Sequence, residues 1–233
     1  MVTATSDFEH TLRQIVAQRK KPHSFEVLVS SGRASRKQVE CYLAQHYIFK
    51  REFPRFLAGI IAKCPVVDIR RELATNLYEE ETGLLSKSAP HPELWLRMCA
   101  SVGFDEQRLR NATPLAGTAA ILDWLETATV KLSWIEGAAA VNIGLEALSP
   151  DVLENLKRNP PGEFWLVRHY GKGTVPDTEF SRVHRELEEG HGEVGYTLLS
   201  AHAQTANDRQ RAIAAIDRTI DAWKVFNDSM AAA

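Results

Sequence analysis

Ser35-Arg-Lys-Gln38-Val39-Glu-Cys41-Tyr-Leu43-Ala-Gln-His-Tyr47-Ile-Phe-Lys-Arg-Glu-Phe53-Pro54-Arg-Phe56-Leu57-Ala-Gly-Ile60 reads as one long amphipathic helix. Ser35, with Gln38 three residues on, is a capping-box start in which each side chain satisfies a backbone N–H of the other. Val39, Leu43 and Tyr47, then Phe53, Phe56, Leu57 and Ile60, recur at helical spacing and fall on one face. Pro54 lies inside this pattern and is expected to kink or split it.

The same punctuation extends in both directions. An earlier helix covers about Asp7 to Arg19, with Phe8, Leu12, Ile15 and Val16 on one face. After Ile60, a helix from about Val67 to Glu81 ends before Gly83. The next begins at His91-Pro92, with proline at a favourable first-turn position, and stops near Gly103. Thr113-Pro114 opens a pattern expected to continue past Gly137 and Gly144 to about Ala147, and Ser149-Pro150 starts a short one. A loop, Tyr170-Gly-Lys-Gly-Thr-Val-Pro176, precedes helices from about Asp177 to Ala203 and Asp208 to Asn227. The last carries Ile213, Ile216, Ile220 and Trp223 in a stripe. No alternating β pattern and no internal repeat interrupts this series. The fold class is all-α, a bundle of seven to eight helices forming a single domain over residues 1–233.

Composition narrows the function. Apolar residues make up 44% and charged ones 25% of 233 residues, an ordinary globular balance. A formal charge of −2 gives no field that draws nucleic acid or an anionic membrane, so neither is an expected partner. No apolar run approaches the roughly 20 residues that span a bilayer. Met1 to Glu9 has no signal-peptide pattern. Cys41, Cys64 and Cys99 are scattered and odd in number, which disfavours a disulfide framework or a thiolate zinc site and suits a reducing cytoplasm.

His184-Arg-Glu-Leu-Glu188-Glu-Gly-His191 is the sharpest chemical signal. At about 100° per residue, offsets of four and seven put Glu188 about 40° and His191 about 20° from His184, on either side. Two imidazoles and a carboxylate on one face suit iron, manganese or zinc, while a polar helix surface is the plainer alternative. Glu79-Glu80-Glu81 ends a helix where carboxylates oppose the macrodipole, a placement that a cation would relieve. His91 opens a helix, where a cap is its structural alternative. Glu146 stands in the nearly all-apolar run Ala138–Leu148, where a carboxylate is costly unless it is paired or metal-bound. Glu136 is a weaker competitor for that role. Helical bundles commonly gather such side chains around two metals.

Asn76-Leu-Tyr-Glu-Glu80-Glu-Thr-Gly83, His91-Pro-Glu-Leu-Trp95, Glu146 and His184-x3-Glu188-x2-His191, in that order, resemble the heme-oxygenase-like diiron oxidase and oxygenase family. That family lies within the superfamily of thiaminase II and pyrroloquinoline-quinone synthase. With His23-Ser-Phe25 and Tyr47-Ile-Phe-Lys-Arg-Glu-Phe53-Pro54, the similarity spans roughly residues 20 to 205. The resemblance implies a heme-oxygenase-like bundle and two Fe(2+) per chain. It implies O2 as co-substrate and Glu80, His91, Glu146, His184, Glu188 and His191 as ligands. It implies oxidation of a small-molecule substrate: an amino acid, an amine or a fatty-acid-like molecule. Homodimers formed through helix faces are frequent among such relatives.

This chain departs from the pattern in three ways. Glu188 stands where aspartate is usual, and the gap before His91 leaves Glu81 as an alternative to Glu80. Glu26 stands where members that convert their own tyrosine into p-aminobenzoate carry that tyrosine, which disfavours the self-sacrificing chemistry. Heme is not an expected cofactor. The alternatives are a metal-free oxidase like the pyrroloquinoline-quinone synthases, a thiaminase-like hydrolase, or a non-enzymatic binding protein of the same fold. None of the three cysteines sits in the Glu136–Glu146 helix, where thiaminase relatives carry their nucleophile. Lys172 and Arg168 are candidates to meet a substrate carboxylate, with solvated surface charge as the plainer reading.

Overall fold

The Gln38 amide oxygen accepts from the Ser35 N–H at 2.9 Å, and Ser35 Oγ accepts from the Gln38 N–H, so the longest helix starts at its capping box. The computed structural model describes residues 7–150, 164–171 and 177–233, without the side chains of residues 164 and 184–192. In chain order the helices are α1 (Asp7–Arg19), α2 (Ser24–Ser30), α3 (Arg36–Lys63), α4 (Val67–Thr82), α5 (His91–Ser101), α6 (Glu106–Arg110) and α7 (Ala116–Glu126). A π-helical turn, π1 (Thr127–Lys131), continues α7. Then come α8 (Trp134–Ala138), a second π-helical segment π2 (Ala139–Glu146), α9 (Phe164–Tyr170), α10 (Glu179–His202) and α11 (Ala206–Ala231). No strand occurs among the described residues.

Pro54 does not split α3. An interior proline costs about 3 kcal/mol. Phe53, Phe56, Leu57 and Ile60 are buried around it, and burying each such side chain contributes roughly 1.5–3 kcal/mol. Packing therefore outweighs the lost backbone hydrogen bond.

The helix expected from Thr113 to Ala147 is interrupted. Leu132 is extended (φ −86°, ψ −178°), and Ser133 reopens the chain as a helix through a capping box with Glu136. Ser133-x-x-Glu136 is the sequence signal for that break. Short α2 and α6 are further segments, opened by His23 and Asp105, so the helices outnumber seven to eight. The short helix expected after Ser149-Pro150, and Lys172, lie outside the described residues. Arg168 is exposed, and Trp165 and Tyr170 pack edge to face at 6.0 Å.

Helix α3 is the spine, touching α4, α5, α6, α7 and α8 along its length. Buried Gln45 fixes where α7 begins. Its oxygen accepts from the Leu115 N–H at 3.0 Å and the Thr118 hydroxyl at 2.6 Å, and its amide donates to the Thr113 carbonyl at 3.0 Å. Helix α11 lies against α7 and π2, and α10 lies against π2, α1 and α5. No helix among the described residues is long and apolar enough to cross a membrane.

Two buried features of this packing are open to test. Gly117 on α7 faces α11 so closely that a Cβ there would lie 2.5 Å from the Val225 carbonyl oxygen. Gly117→Ala is therefore expected to cost about 1–3 kcal/mol in chemical denaturation, despite alanine's better helix propensity. His46 is buried among Tyr42, Trp95, Trp223 and Phe226. Burial first, and the Lys50 ammonium second, hold its pKa well below 6.5. The unfolded chain binds a proton below that value and the folded chain does not, so stability is lost as pH falls through 6.5. His46→Phe should flatten the loss between about pH 7 and 5, by up to about 1.4 kcal/mol per pH unit. Denaturant midpoints measured across that range check it.

Candidate metal centre

Three successive glutamates at the end of α4 point in different directions because each residue turns the helix by about 100°. Glu79 is buried and Glu81 is exposed, with Glu80 between them in burial. Gly83 adopts the left-handed conformation (φ 65°) that closes the helix, its N–H donating to the Glu79 carbonyl at 2.8 Å. The Glu79 carboxylate then accepts from the Leu85 N–H at 2.9 Å, the Ser86 N–H at 3.3 Å and the Ser86 hydroxyl. Burial pushes its carboxyl up, but these donors and nearby His91 outweigh that and hold it below the usual carboxylate range. Glu79 thus anchors the loop that delivers α5.

At the start of α5, the His91 side chain is 3% exposed. Its Nδ1 lies 3.0 Å from Glu80 Oε1 and its Nε2 lies 3.6 Å from Glu79 Oε1. An imidazole is thereby buried between two carboxylates. Between Glu80 and Glu81, only Glu80 is turned toward His91.

Glu146 closes π2, a segment whose other residues are almost all buried. Asn142, one turn back, donates its amide to Glu146 Oε2 at 3.4 Å. Lys20, just past α1, donates its ammonium to the carbonyls of Leu145, at 2.7 Å, and Ala147. Burial pushes the Lys20 ammonium down to about 8, against the opposing pull of Glu146 and Glu26. Glu136, the competing carboxylate, is occupied elsewhere. It accepts from the Ser133 N–H at 3.0 Å and the Ser133 hydroxyl at 2.5 Å, with Arg211 at 3.7 Å.

The His184, Glu188 and His191 side chains lie outside the described residues, but α10 runs unbroken through all three positions. Two contacts set its register. Phe180 packs against Trp95 at 5.1 Å, and the Asp177 N–H donates to Ser101 Oγ at 2.9 Å, so α5 runs antiparallel to α10. One turn farther along each helix are residues 184 and 91. Higher up, Gly195 meets Asn142 so closely that a Cβ would lie 2.8 Å from Asn142 Cβ. Trp134, at the start of α8, packs on His202 at 5.7 Å, so α8 and π2 together run antiparallel to α10. One turn beyond that crossing are residues 191 and 146. The segment 184–191 is thus bracketed by the helix positions that carry His91 and Glu146.

Carboxylate oxygens and neutral imidazole nitrogens are the donors that iron and manganese accept. A buried Glu80–His91 pair beside a second buried carboxylate is the kind of cluster that a bound cation compensates. The residues present fit such a metal. Among the described residues alone, no group of three or more His, Cys, Asp or Glu stands ready to hold an ion. Glu79 stood out in the sequence only as part of the acidic triplet, and Asn142 and Lys20 did not stand out. Lys20 acts on carbonyls 125 and 127 residues away and Glu79 through the 85–86 loop, which local spacing does not mark. Asn142, by contrast, lies at the helical i, i+4 spacing from Glu146.

A sequence model of the family described as iron-containing redox enzymes matches residues 40–224. The 4-aminobenzoate synthase of Nitrosomonas europaea is 25% identical, across 96% of this chain and 91% of that protein. The pyrroloquinoline-quinone synthase of Pseudomonas aeruginosa is also 25% identical, across 98% and 88%. A solved domain with a heme oxygenase-like fold from Shewanella denitrificans aligns with TM-score 0.74 at 14% identity, covering 100% of this chain and 94% of that one. The fold is heme-oxygenase-like.

The unequal burial of the glutamate triplet has a measurable consequence. Glu79→Gln is expected to lower stability by about 1–3 kcal/mol, since it leaves buried donors mismatched. Glu81→Gln, at an exposed site, should stay within about 0.5 kcal/mol of wild type. Thermal or urea denaturation of the metal-free proteins distinguishes the two.

Proposed function

Because this chain belongs to the family of iron-containing redox enzymes, we propose that it is a nonheme diiron oxidase or oxygenase that uses dioxygen on a small molecule. The observation that carries the reading is the His91 imidazole buried between Glu79 and Glu80, on a helix that runs antiparallel to the His184–His191 segment. Glu80, Glu146 and Glu188 would supply carboxylate ligands, and His91, His184 and His191 neutral nitrogens. When bound, two ferrous ions would supply the reducing electrons for dioxygen.

The chain's own groups have separable tasks. Glu79 fixes the loop that brings His91 to Glu80, and Asn142 orients Glu146 through its amide. Ala139, Ala140, Val141 and Ile143 of π2 are fully buried, so Glu146 ends an apolar segment, where a carboxylate gains from a bound cation.

Substrates of the amino-acid, amine or fatty-acid-like class suit this reading better than a residue of the chain itself. Glu26, at the position considered for a sacrificial tyrosine, is committed to structure. It accepts from the His23 N–H at 3.0 Å and from Trp223 Nε1 and Asn227 Nδ2, each at 3.3 Å. Similarity to a pyrroloquinoline-quinone synthase over nearly the whole chain supports a second reading, an oxidase that works without metal. The two readings diverge in iron uptake.

Anaerobic ferrous titration of metal-free protein, followed by Mössbauer spectroscopy and then oxygen exposure, tests the proposal. Uptake of two irons per chain is expected, abolished or halved in Glu146→Ala and His184→Ala, with oxygen consumed in proportion to bound iron. Folded protein that takes up no specific iron would sink the diiron reading and leave the metal-free oxidase.

A further inference from the structure

The ammonium group of Lys20 meets the chain on both sides of Glu146. It donates to the carbonyl of Leu145 at 2.7 Å and to the carbonyl of Ala147. These carbonyls lie at the end of π2, where Ala147 turns extended (φ −62°, ψ 125°). The last carbonyls of a helix have no following N–H to accept from, and a cation there satisfies them and complements the helix dipole. Lys20 is part-buried and sits one residue beyond α1, which Arg13 ties to α10 through Glu193 at 2.9 and 2.6 Å. The amine thus leaves the face of α1 that Arg13 ties to α10, and it donates to the carbonyls of the residues on either side of Glu146.

We propose that Lys20 is a positioning residue whose ammonium clamps the Leu145 and Ala147 carbonyls and thereby sets the Glu146 carboxylate for metal binding. The inference rests on the reading of Glu146 as a ligand. Lys20 then restrains the backbone beside that residue and Asn142 its carboxylate. Without the clamp, the end of π2 would lose both charge-assisted hydrogen bonds, and the carboxylate would no longer hold one direction. Partners that orient a ligand typically change metal affinity by about 10–100-fold when removed.

A cleft of about 730 Å³ opens between the α1–α2 turn, the end of π2 and α11, and Lys20 lines it with Leu145, Leu148 and Trp223. Small solutes can reach the amine's position from solvent by this route, which makes chemical rescue practicable.

The test uses Mn(II), which takes the same donors as Fe(II) and reports by electron paramagnetic resonance. In full-length protein, Lys20→Ala should weaken Mn(II) binding about tenfold or more and broaden the bound-ion spectrum. Added ethylammonium should restore both, and uncharged ethanol neither. Lys20→Arg should retain most of the affinity, and serves as the measured variant if Lys20→Ala does not fold. Glu146→Ala separates the two levels of the argument. If Glu146→Ala loses Mn(II) but Lys20→Ala binds as wild type does, the clamp is overturned and the ligand reading stands. If Glu146→Ala also binds as wild type does, the ligand reading falls and takes the clamp with it. Weakened binding that ethylammonium does not restore assigns Lys20 to general stability and overturns the positioning role.

Discussion

Two close helix approaches at π2 govern the geometry of the candidate centre. A Cβ on Gly144 would lie 2.7 Å from Thr219 Cβ on α11, and one on Gly195 would lie 2.8 Å from Asn142 Cβ. The segment is thus held between α11 and α10 at a separation that only residues lacking a side chain allow. Larger side chains at either point would push a helix away by more than the tolerance of a coordination site. π-Helical geometry is rare and concentrates at functional sites. Here it places Glu146 at the end of an apolar segment, within reach of Asn142 and beside Lys20. The carboxylate's position follows from packing.

Burying charge is expensive, and the molecule distributes that cost among specific partners. Glu79 has three donors from the 85–86 loop, and Glu136 has Ser133 and Arg211. Glu26 has Trp223, Asn227 and a backbone N–H. Each of these carboxylates is held for structural reasons. Glu80 meets His91 Nδ1 at 3.0 Å, closer than Glu79 comes to Nε2 at 3.6 Å, and Glu146 ends the segment that crosses α10 at Gly195. The contrast separates supporting acids from candidate ligands more sharply than position in the sequence does, since all five are glutamates on or beside helix ends.

The helical character, the capping box at Ser35 and the ends of α1, α4 and α5 were legible because they depend on local chemistry: periodicity, caps, proline and glycine. The break at Leu132 has a local signal in Ser133 and Glu136, but the helical pattern on either side reads as continuous and hides it. Continuity through Pro54 was not legible, because no local rule weighs a lost hydrogen bond against the burial of four large side chains. Choosing Glu80 over Glu81 needed the direction in which α5 returns, and that direction depends on the Glu79-anchored loop.

The sequence by itself determined the all-helical class, the set of titratable side chains capable of holding a metal, and their helical spacing in the His184–His191 motif. These are properties of neighbours within a few residues, set by backbone geometry and side-chain chemistry. Only the tertiary structure decided that Glu79 and Glu80 of the triplet, and not Glu81, face His91, that Glu136 is a cap, and that Lys20 reaches the end of a helix 125 residues away. Such pairings join residues remote along the chain, and their energies exist only once α1, α5, π2 and α10 have packed.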